Sequence, residues 1–255
     1  MYKKVLIIIA VCFIMVSFSV EAAPLTSFET HKGSIELGVW KTNSIFENDE
    51  IPFLGQVAGK THQGRYMPFG GITYGLHGKW GVQYYHHGLG TSEKQVGTIT
   101  MTVGGSSVTL PVNSQIKGHT DEFNILYSLS KNLALFGGIN CGYTNQQTRF
   151  VLSYDRSNTQ NLFQIGIIGK TNIGANMEGY LLSGIGAHGL FQGELGVSLN
   201  MGPKWQSNLA YRWFKVNDGV NKFTDVNGGT STKYSSSFGT VKSQGFIFSI
   251  THFFN

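Results

Sequence analysis

The sequence has little charge, few cysteines and few prolines. Charged residues make up 13% of its 255 positions, which is about half of the share usual in soluble domains. The two cysteines are Cys12, inside an apolar N-terminal stretch, and Cys141. A chain without that stretch keeps Cys141 alone, which excludes an intramolecular disulfide, a cysteine-rich metal site and a CxxC redox pair. The formal charge of +5 is not clustered among aromatics, so nucleic acid is not an expected partner.

Long apolar runs are absent after the first residues. Two lysines precede an apolar run from Val5 to Val20, and small residues at Val20 and Ala22 occupy the positions that a signal peptidase reads. The run has about 16 residues, fewer than the roughly 20 that a membrane-spanning helix needs. Lipid attachment at Cys12 is not expected, because Val11 stands where a small residue is required. We therefore predict a signal peptide over residues 1–22 and a mature domain over residues 23–255.

Glycine and aromatic residues are abundant. The chain has 34 glycines, 18 phenylalanines, 11 tyrosines and 4 tryptophans. Glycine is a poor helix former and aromatics favour strands, so this composition predicts an all-β protein. The low charge favours a barrel in lipid over a soluble sheet, because a lipid-facing surface does not tolerate charge.

Four short turns, each containing or adjoining a lysine, organise the predicted strands. They are His77-Gly78-Lys79, Ser130-Lys131-Asn132, Lys170-Thr171-Asn172 and Met201-Gly202-Pro203. Each is flanked by strand-like alternation, which defines four hairpins and eight strands: Phe69–Leu76, Trp80–His87, Thr120–Leu129, Leu133–Tyr143, Asn161–Gly169, Ile173–Ser183, Leu190–Asn200 and Lys204–Lys215. Two end strands, Ser34 to Thr42 and Thr240 to Phe254, bring the count to ten. We predict a single closed antiparallel transmembrane β-barrel of about ten strands.

Twelve and eight strands are the alternatives to ten. The segment from Val96 to Val112 alternates about a Gly104-Gly105 turn, but its arms of about seven residues are shorter than the nine to eleven of a spanning strand. We interpret it as a hairpin above the membrane. The remaining connections, residues 43–63, 90–118, 145–160 and 216–239, are predicted to be long polar loops.

The positions that alternate with the apolar face are expected to line a polar interior in which many positions are glycine. Its charged candidates are Glu36, Glu178, Glu194 and Arg212. Glu194 and Arg212 are equidistant from the turn near residue 203, so they could pair across neighbouring strands. Two interpretations remain open: a salt-bridge network that plugs the barrel, or a constriction that selects small polar solutes.

Catalytic and metal-binding patterns are not found. An omptin-type protease resembles the chain in strand number but needs an Asp-x-His arrangement, and none occurs. No histidine is followed two residues later by the serine that a lipid-deacylase site would use. His86 and His87 are adjacent on a strand and point to opposite faces, so they cannot hold one ion together. We expect the pair in an interfacial belt.

Several segments carry a family resemblance. They are the mature start APLTSF, the strand GSIELGVW, the hairpin core FNILYSLSKNLALFGGINCGY and the end GFIFSITHFF. Together they resemble the small porin-like outer-membrane β-barrel proteins of diderm Firmicutes. The last strand, with a polar residue, Gly245 and then alternating apolar residues, also resembles the terminal insertion signal of bacterial outer-membrane barrels. The resemblance implies a place in the outer membrane of a Gram-negative-type envelope, and it implies no catalytic, cofactor-binding or metal-binding residues.

The expected function follows from this placement. We expect both termini in the periplasm, contact with membrane lipid and lipopolysaccharide, and recognition by the barrel-insertion machinery. The role is predicted to be structural, or that of a weak passive channel for small polar solutes. A surface adhesin or receptor acting through the long loops is the alternative. An outer-membrane enzyme, protease or lipid-modifying, is a weaker alternative, and no cofactor is expected.

Overall fold

The computed structural model describes residues 25–47, 50–51, 55–56, 64–149, 153–217, 220–227, 230–237 and 240–254. The predicted signal peptide, residues 1–22, lies outside the described residues. Ten long strands follow, numbered in chain order: β1 Gly33–Glu47, β2 Tyr66–His77, β3 Trp80–Gly90, β4 Ser106–Ser130, β5 Leu133–Arg149, β6 Ser153–Gly174, β7 Met177–Gly186, β8 Phe191–Gly202, β9 Trp205–Asn217 and β10 Thr240–Phe254.

The ten strands form a closed antiparallel barrel. Each strand pairs with the next one along the chain, and β10 returns to pair with β1, from Gly33 opposite Phe254 to Glu47 opposite Thr240. Closure leaves no unpaired strand edge inside the ring. The predicted all-β barrel of ten strands is confirmed, and the alternatives of eight and twelve are wrong.

Alternation along the strands gives the barrel an apolar outer wall. Large apolar side chains point outward and stay exposed, among them Phe163 at 75%, Leu37 at 67% and Phe246 at 60%. Trp80 and Trp205 are each 50% exposed at the end where the short turns lie. A wall of this kind is suited to acyl chains, with aromatic rings at the level of the membrane interface.

Four tight turns connect the hairpins at one end, which we call the turn side. They are Gly78–Lys79, Lys131–Asn132, Ala175–Asn176 and Pro203–Lys204. Gly78 has φ 63°, a left-handed conformation that suits glycine. The predicted turn at Lys170-Thr171-Asn172 is wrong, because these residues continue the ladder of β6, with Lys170 opposite Tyr180. The chain turns only after Gly174.

In its described residues, the opposite end, which we call the loop side, contains strand rather than the long polar loops that we predicted. Most of residues 48–63, in the first of these predicted loops, lie outside the described residues. β4 has 25 residues and β6 has 22, so both continue far beyond the barrel wall. Together with β5 and three further strands they form an outer sheet; the further strands are Lys94–Val103, Val220–Asn227 and Thr230–Ser237. The ladder pairs backbone groups that a loop would leave to water. The hairpin about Gly104 and Gly105 belongs to this sheet and does not cross the barrel wall, as predicted.

The remaining ordered segments are small. Glu50–Ile51 pairs with Gly55–Gln56, and a short 3₁₀ helix, Ala187–Gly189, connects β7 to β8. Among the described residues, no helix is long and apolar enough to cross a bilayer.

Large inward side chains fill the barrel in three apolar clusters. The turn-side cluster is Leu25, Phe28, Leu126, Ala134, Phe136, Ile168 and Leu182. The middle cluster is Trp40, Phe69, Tyr85, Leu89, Tyr180, Ala210 and Ile247, and the loop-side cluster is Leu162, Leu190, Phe214, Val216 and Val241. The interior is therefore partly apolar, in addition to the polar positions that we expected.

Inward glycines make room for these rings. A Cβ added at Gly196 would overlap the Tyr180 ring, one at Gly166 would overlap Phe136, and one at Gly81 would lie 2.8 Å from the Phe28 ring. The absence of side chains at these positions therefore does not indicate an empty lumen. Each glycine accommodates an aromatic ring from another part of the wall or from the N-terminal segment, as close packing in a narrow barrel requires.

Candidate functional site

An ionic cluster around Arg212 lies in the middle of the barrel. Arg212 on β9 faces Glu194 on β8, with Nη1 3.3 Å from Glu194 Oε2. Its Nη2 donates to Gln192 Oε1 at 2.7 Å and also contacts Glu122 Oε1 from β4, on the far side of the lumen. The Arg212 and Glu122 side chains are 3% and 2% exposed. The guanidinium therefore bridges opposite walls of the barrel.

Hydroxyl and amide groups hold the remaining carboxylate oxygens. Tyr180 donates to Glu194 Oε1 at 2.8 Å, and Tyr85 donates to Glu36 Oε2 at 2.6 Å. Glu36 Oε1 accepts from Asn208 Nδ2 at 3.0 Å and is also contacted by the Ser249 hydroxyl. Such donors replace the water that a buried carboxylate has lost.

A chain of side-chain amides continues the polar network along the lumen. Gln192 donates to Gln164 Oε1 at 3.0 Å, and Gln164 donates to Asn124 Oδ1 at 2.9 Å. Asn124 then donates to Gln83 Oε1 at 3.2 Å, and Gln83 donates to Thr73 at 3.3 Å. These five residues belong to five different strands, so the network joins the wall across its interior.

Arg212 also lies among aromatic rings. Its guanidinium carbon is 6.0 Å from the centre of the Trp40 ring, within the range of a cation–π contact. His87, fully buried, lies beside this group with Nε2 3.2 Å from Glu122 Oε1. Its ring is 4.9 Å from the ring of Phe69, measured between centres. Charge, amide and aromatic groups thus fill the same cross-section.

The N-terminal segment Leu25–Lys32, which we call the N-terminal plug, enters the turn-side mouth. Leu25 and Phe28 are 6% and 3% exposed and belong to the turn-side cluster. The Thr26 hydroxyl donates to the Lys131 carbonyl at 2.6 Å, and Gly75 N–H donates to the Lys32 carbonyl at 2.8 Å. The segment is therefore fixed inside the mouth by both apolar packing and hydrogen bonds.

A cavity of about 670 Å³ lies between this segment and the rim. Lys131, Lys170, Asn132 and Glu178 are among its lining residues. The structure therefore places Glu178 at the mouth, 3.9 Å from Lys170 Nζ and away from the central cluster. Of the four predicted interior residues, Glu36, Glu194 and Arg212 come together and Glu178 does not.

Sequence reasoning missed two charged or titratable members of the cluster. Glu122 alternates with the apolar face of its strand, but its contact with Arg212 spans the lumen and no register between neighbouring strands predicts it. His87 points inward, whereas the preceding residue, His86, faces outward and contacts Asp121 Oδ1 at 2.8 Å. The belt position that we predicted for both histidines is therefore wrong for His87. In the described part of the chain, no three His, Cys, Asp or Glu side chains are placed to hold a metal ion.

Comparisons with known proteins identify the fold. No protein-family model matches the chain, and no curated protein matches it by sequence. Among solved structures, the outer-membrane protease OmpT from Escherichia coli matches with a TM-score of 0.50 and 13% identity, over 92% of this chain and 100% of that one. Ail, the attachment invasion locus protein of Yersinia pestis, matches with a TM-score of 0.44 and 11% identity, over 89% and 100%. The outer membrane protein OprG from Pseudomonas aeruginosa matches with a TM-score of 0.34 and 14% identity, over 91% and 99%.

These structures are small outer-membrane β-barrel proteins with different roles. At such low identity, the OmpT match establishes the fold alone. The chain therefore has the architecture of an outer-membrane barrel.

Proposed function

We propose that the protein is an integral outer-membrane barrel with a closed interior and a structural role, and that passage of small polar solutes through it is weak. The observation that carries the proposal is the filling of the lumen at three levels. The N-terminal plug occupies the turn-side mouth, the Arg212 cluster crosses the middle, and the loop-side cluster follows beyond it. A conducting pore needs a continuous water path through all three levels.

The proposed location rests on the outer wall and on the topology. Exposed apolar side chains surround the barrel, and an even number of strands brings the start of β1 and the end of β10 to the same side, the turn side. We propose that this side faces the periplasm and that the outer sheet faces outward, where lipopolysaccharide surrounds it. We also propose that the barrel-insertion machinery inserts the protein into the outer membrane. The protein is proposed to be related to the small porin-like barrels of diderm Firmicutes.

Enzymatic activity is not part of the proposal. The carboxylates of the interior are engaged by Arg212, tyrosine hydroxyls and amides, so they are not placed as a free acid and base pair beside a substrate cleft. The likeness to OmpT concerns the fold alone. We therefore read the cluster as a structural crosslink between opposite walls.

Planar-bilayer recording tests the closed interior. The purified, refolded protein is added to a bilayer in concentrated KCl, and a porin refolded in the same way serves as the positive control. We expect membrane insertion without regular conductance steps. Reproducible steps of uniform size from the wild-type protein would contradict the proposal and would favour a passive channel.

A surface adhesin or receptor is the second candidate, and the outer sheet favours it. This sheet projects beyond the barrel and is built from paired strands rather than loose loops. Gly90 pairs with Lys117, so residues 91–116 can be replaced by an Asn-Gly turn without breaking the barrel ladder. Cells carrying the shortened protein are compared with wild type for adhesion to host cells and for phage adsorption. Equal values in both assays would remove this candidate.

A further inference from the structure

We propose that the turn side of this protein binds the phosphate groups of anionic phospholipids through Lys79 and Lys204, with Lys131 adding to the same positive field. The inference rests on the proposed function, because it requires a barrel that spans a bilayer. It goes beyond that function by assigning a lipid class to one rim of the barrel.

The four turns at the turn side carry a net positive charge. The four turns hold three lysines, Lys79, Lys131 and Lys204, and no acidic residue. All three side chains are exposed, and none forms a salt bridge with a carboxylate of the described residues. A group of unneutralised cations at one rim attracts negative charge from the surface that it faces.

Among the described residues, the acidic side chains at this end are Glu29 and Glu178, and each lies beside another lysine. Glu29 Oε2 lies 2.5 Å from Lys32 Nζ, within the N-terminal plug. Glu178 Oε2 lies 3.9 Å from Lys170 Nζ, beside the mouth cavity. The three turn lysines therefore keep their charge for an external partner.

The depth of two of these lysines identifies the partner. Lys79 and Lys204 each precede a tryptophan, Trp80 and Trp205, that is 50% exposed on the outer wall. The Trp80 ring is 4.7 Å from Tyr127, and the Trp205 ring is 4.4 Å from His252, measured between ring centres. Aromatic rings of this kind mark the interface between acyl chains and headgroups.

The turns are too short to carry the ammonium groups away from this level. Each turn has two residues, and Lys79 Nζ remains 6.0 Å from the centre of the Tyr127 ring. An ammonium group beside an interfacial ring lies where lipid phosphates lie. The geometry therefore fits the phosphate of a lipid headgroup better than a soluble anion farther from the membrane.

Quenching by brominated lipids measures this preference directly. The protein, carrying Trp213→Phe so that Trp80 and Trp205 are the lipid-facing reporters, is folded into phosphatidylcholine vesicles that contain brominated phosphatidylglycerol or brominated phosphatidylcholine at equal fractions. Trp40 is 1% exposed inside the barrel and adds an unquenched background. In low salt we expect about fivefold stronger association of phosphatidylglycerol than of phosphatidylcholine around the reporters, and a preference close to one in half-molar NaCl, where charges are screened.

Two double variants distinguish the effect of the turn lysines from the effect of removing positive charge elsewhere on the protein. Lys79→Gln with Lys204→Gln should reduce the preference to near one. Lys94→Gln with Lys117→Gln removes the same charge from exposed positions in the outer sheet and should leave the preference unchanged. Equal quenching by the two lipids in the wild-type background, or an unchanged preference in the first variant, would overturn the inference.

The quenching experiment gives a different result if the proposed function is wrong and the protein does not span a bilayer. A protein that does not span the bilayer would show no quenching by either brominated lipid and no heat-modifiable mobility on gels. That outcome would overturn the barrel proposal and this inference together. Quenching by both lipids without a preference would overturn the inference alone.

Discussion

Glu194 Oε2 lies 3.3 Å from Arg212 Nη1 across two neighbouring strands, in a pair whose side chains are 9% and 3% exposed. Arg212 also contacts Glu122 from the opposite wall, so one guanidinium serves two buried carboxylates. Removing a single partner from such a group leaves uncompensated charge at a buried site.

Arg212→Leu should lower the free energy of unfolding by about 3–5 kcal/mol, because Glu122 and Glu194 stay buried without their cation. The measurement is denaturant unfolding in detergent micelles or vesicles, followed by tryptophan fluorescence. Arg149→Leu is the matched control. Arg149 Nη1 lies 3.8 Å from Glu93 and its side chain is 55% exposed, so a change within about 1 kcal/mol is expected. Similar losses of unfolding free energy in the two variants would show that the central cluster stabilises the protein no more than an exposed ion pair does.

Phe28→Ala should destabilise the protein by about 3–5 kcal/mol, because it empties the largest apolar contact of the N-terminal plug. Phe28 is 3% exposed and packs against the backbone at Gly81. The variant should remain without regular conductance steps, since the Arg212 cluster is unchanged. Phe163→Ala is the control; that side chain is 75% exposed on the outer wall, and a smaller loss is expected. Conductance in Phe28→Ala would mean that the plug alone closes the barrel.

Gly196→Ala should lower stability by about 1–3 kcal/mol, because the added methyl group collides with the Tyr180 ring. Displacement of this ring also weakens its hydrogen bond to Glu194. Gly137→Ala, at a strand position where the nearest atoms would be 3.8 Å away, should be close to neutral. The two midpoints of denaturant unfolding are compared. A neutral Gly196→Ala would show that the interior has room to adjust.

Phe248→Arg should make the free energy of folding into vesicles less favourable by about 2–4 kcal/mol, because it places a charge on the wall that faces the acyl chains. Phe248 is 53% exposed and lies between Val39 and Leu209 on the neighbouring strands. Thr102→Arg, on an exposed position of the outer sheet, should fold as the wild type does. Heat-modifiable mobility on gels gives the folded fraction. Equal folded fractions would place Phe248 outside the bilayer and contradict the proposed orientation of the wall.

Most of the fold could be predicted from the period of two along the strands. A strand that faces lipid on one side must alternate, so segments such as β8 and β10 are recognisable without any partner. The pairing of Glu194 with Arg212 followed from counting equal distances from a tight turn. The strand ends on the loop side at residues 145–149 and 153–160 could not be predicted, because these segments are polar on both faces and show no apolar alternation.

The errors at the site have one geometric cause each. We placed a turn at Lys170-Thr171-Asn172, which put Glu178 well inside the next strand; the chain turns at Ala175–Asn176, so Glu178 is the second residue of β7 and lies at the rim. Glu122 meets Arg212 across the lumen, and a register between neighbouring strands does not describe contacts through the centre of a barrel. The inward aromatic rings were not predicted, because the glycines that accommodate them carry no side chain and give no sign of a packing partner in the sequence.

The seam between β1 and β10 joins the first barrel strand of the chain to the last. The ring can therefore not close before the final strand has been synthesised and has paired with β1. Until then, the growing sheet has two edge strands with unpaired backbone groups, and each of them can pair with a wrong strand. A polypeptide that stops before Thr240 would lack the strand that pairs with both β1 and β9, and its cylinder would stay open.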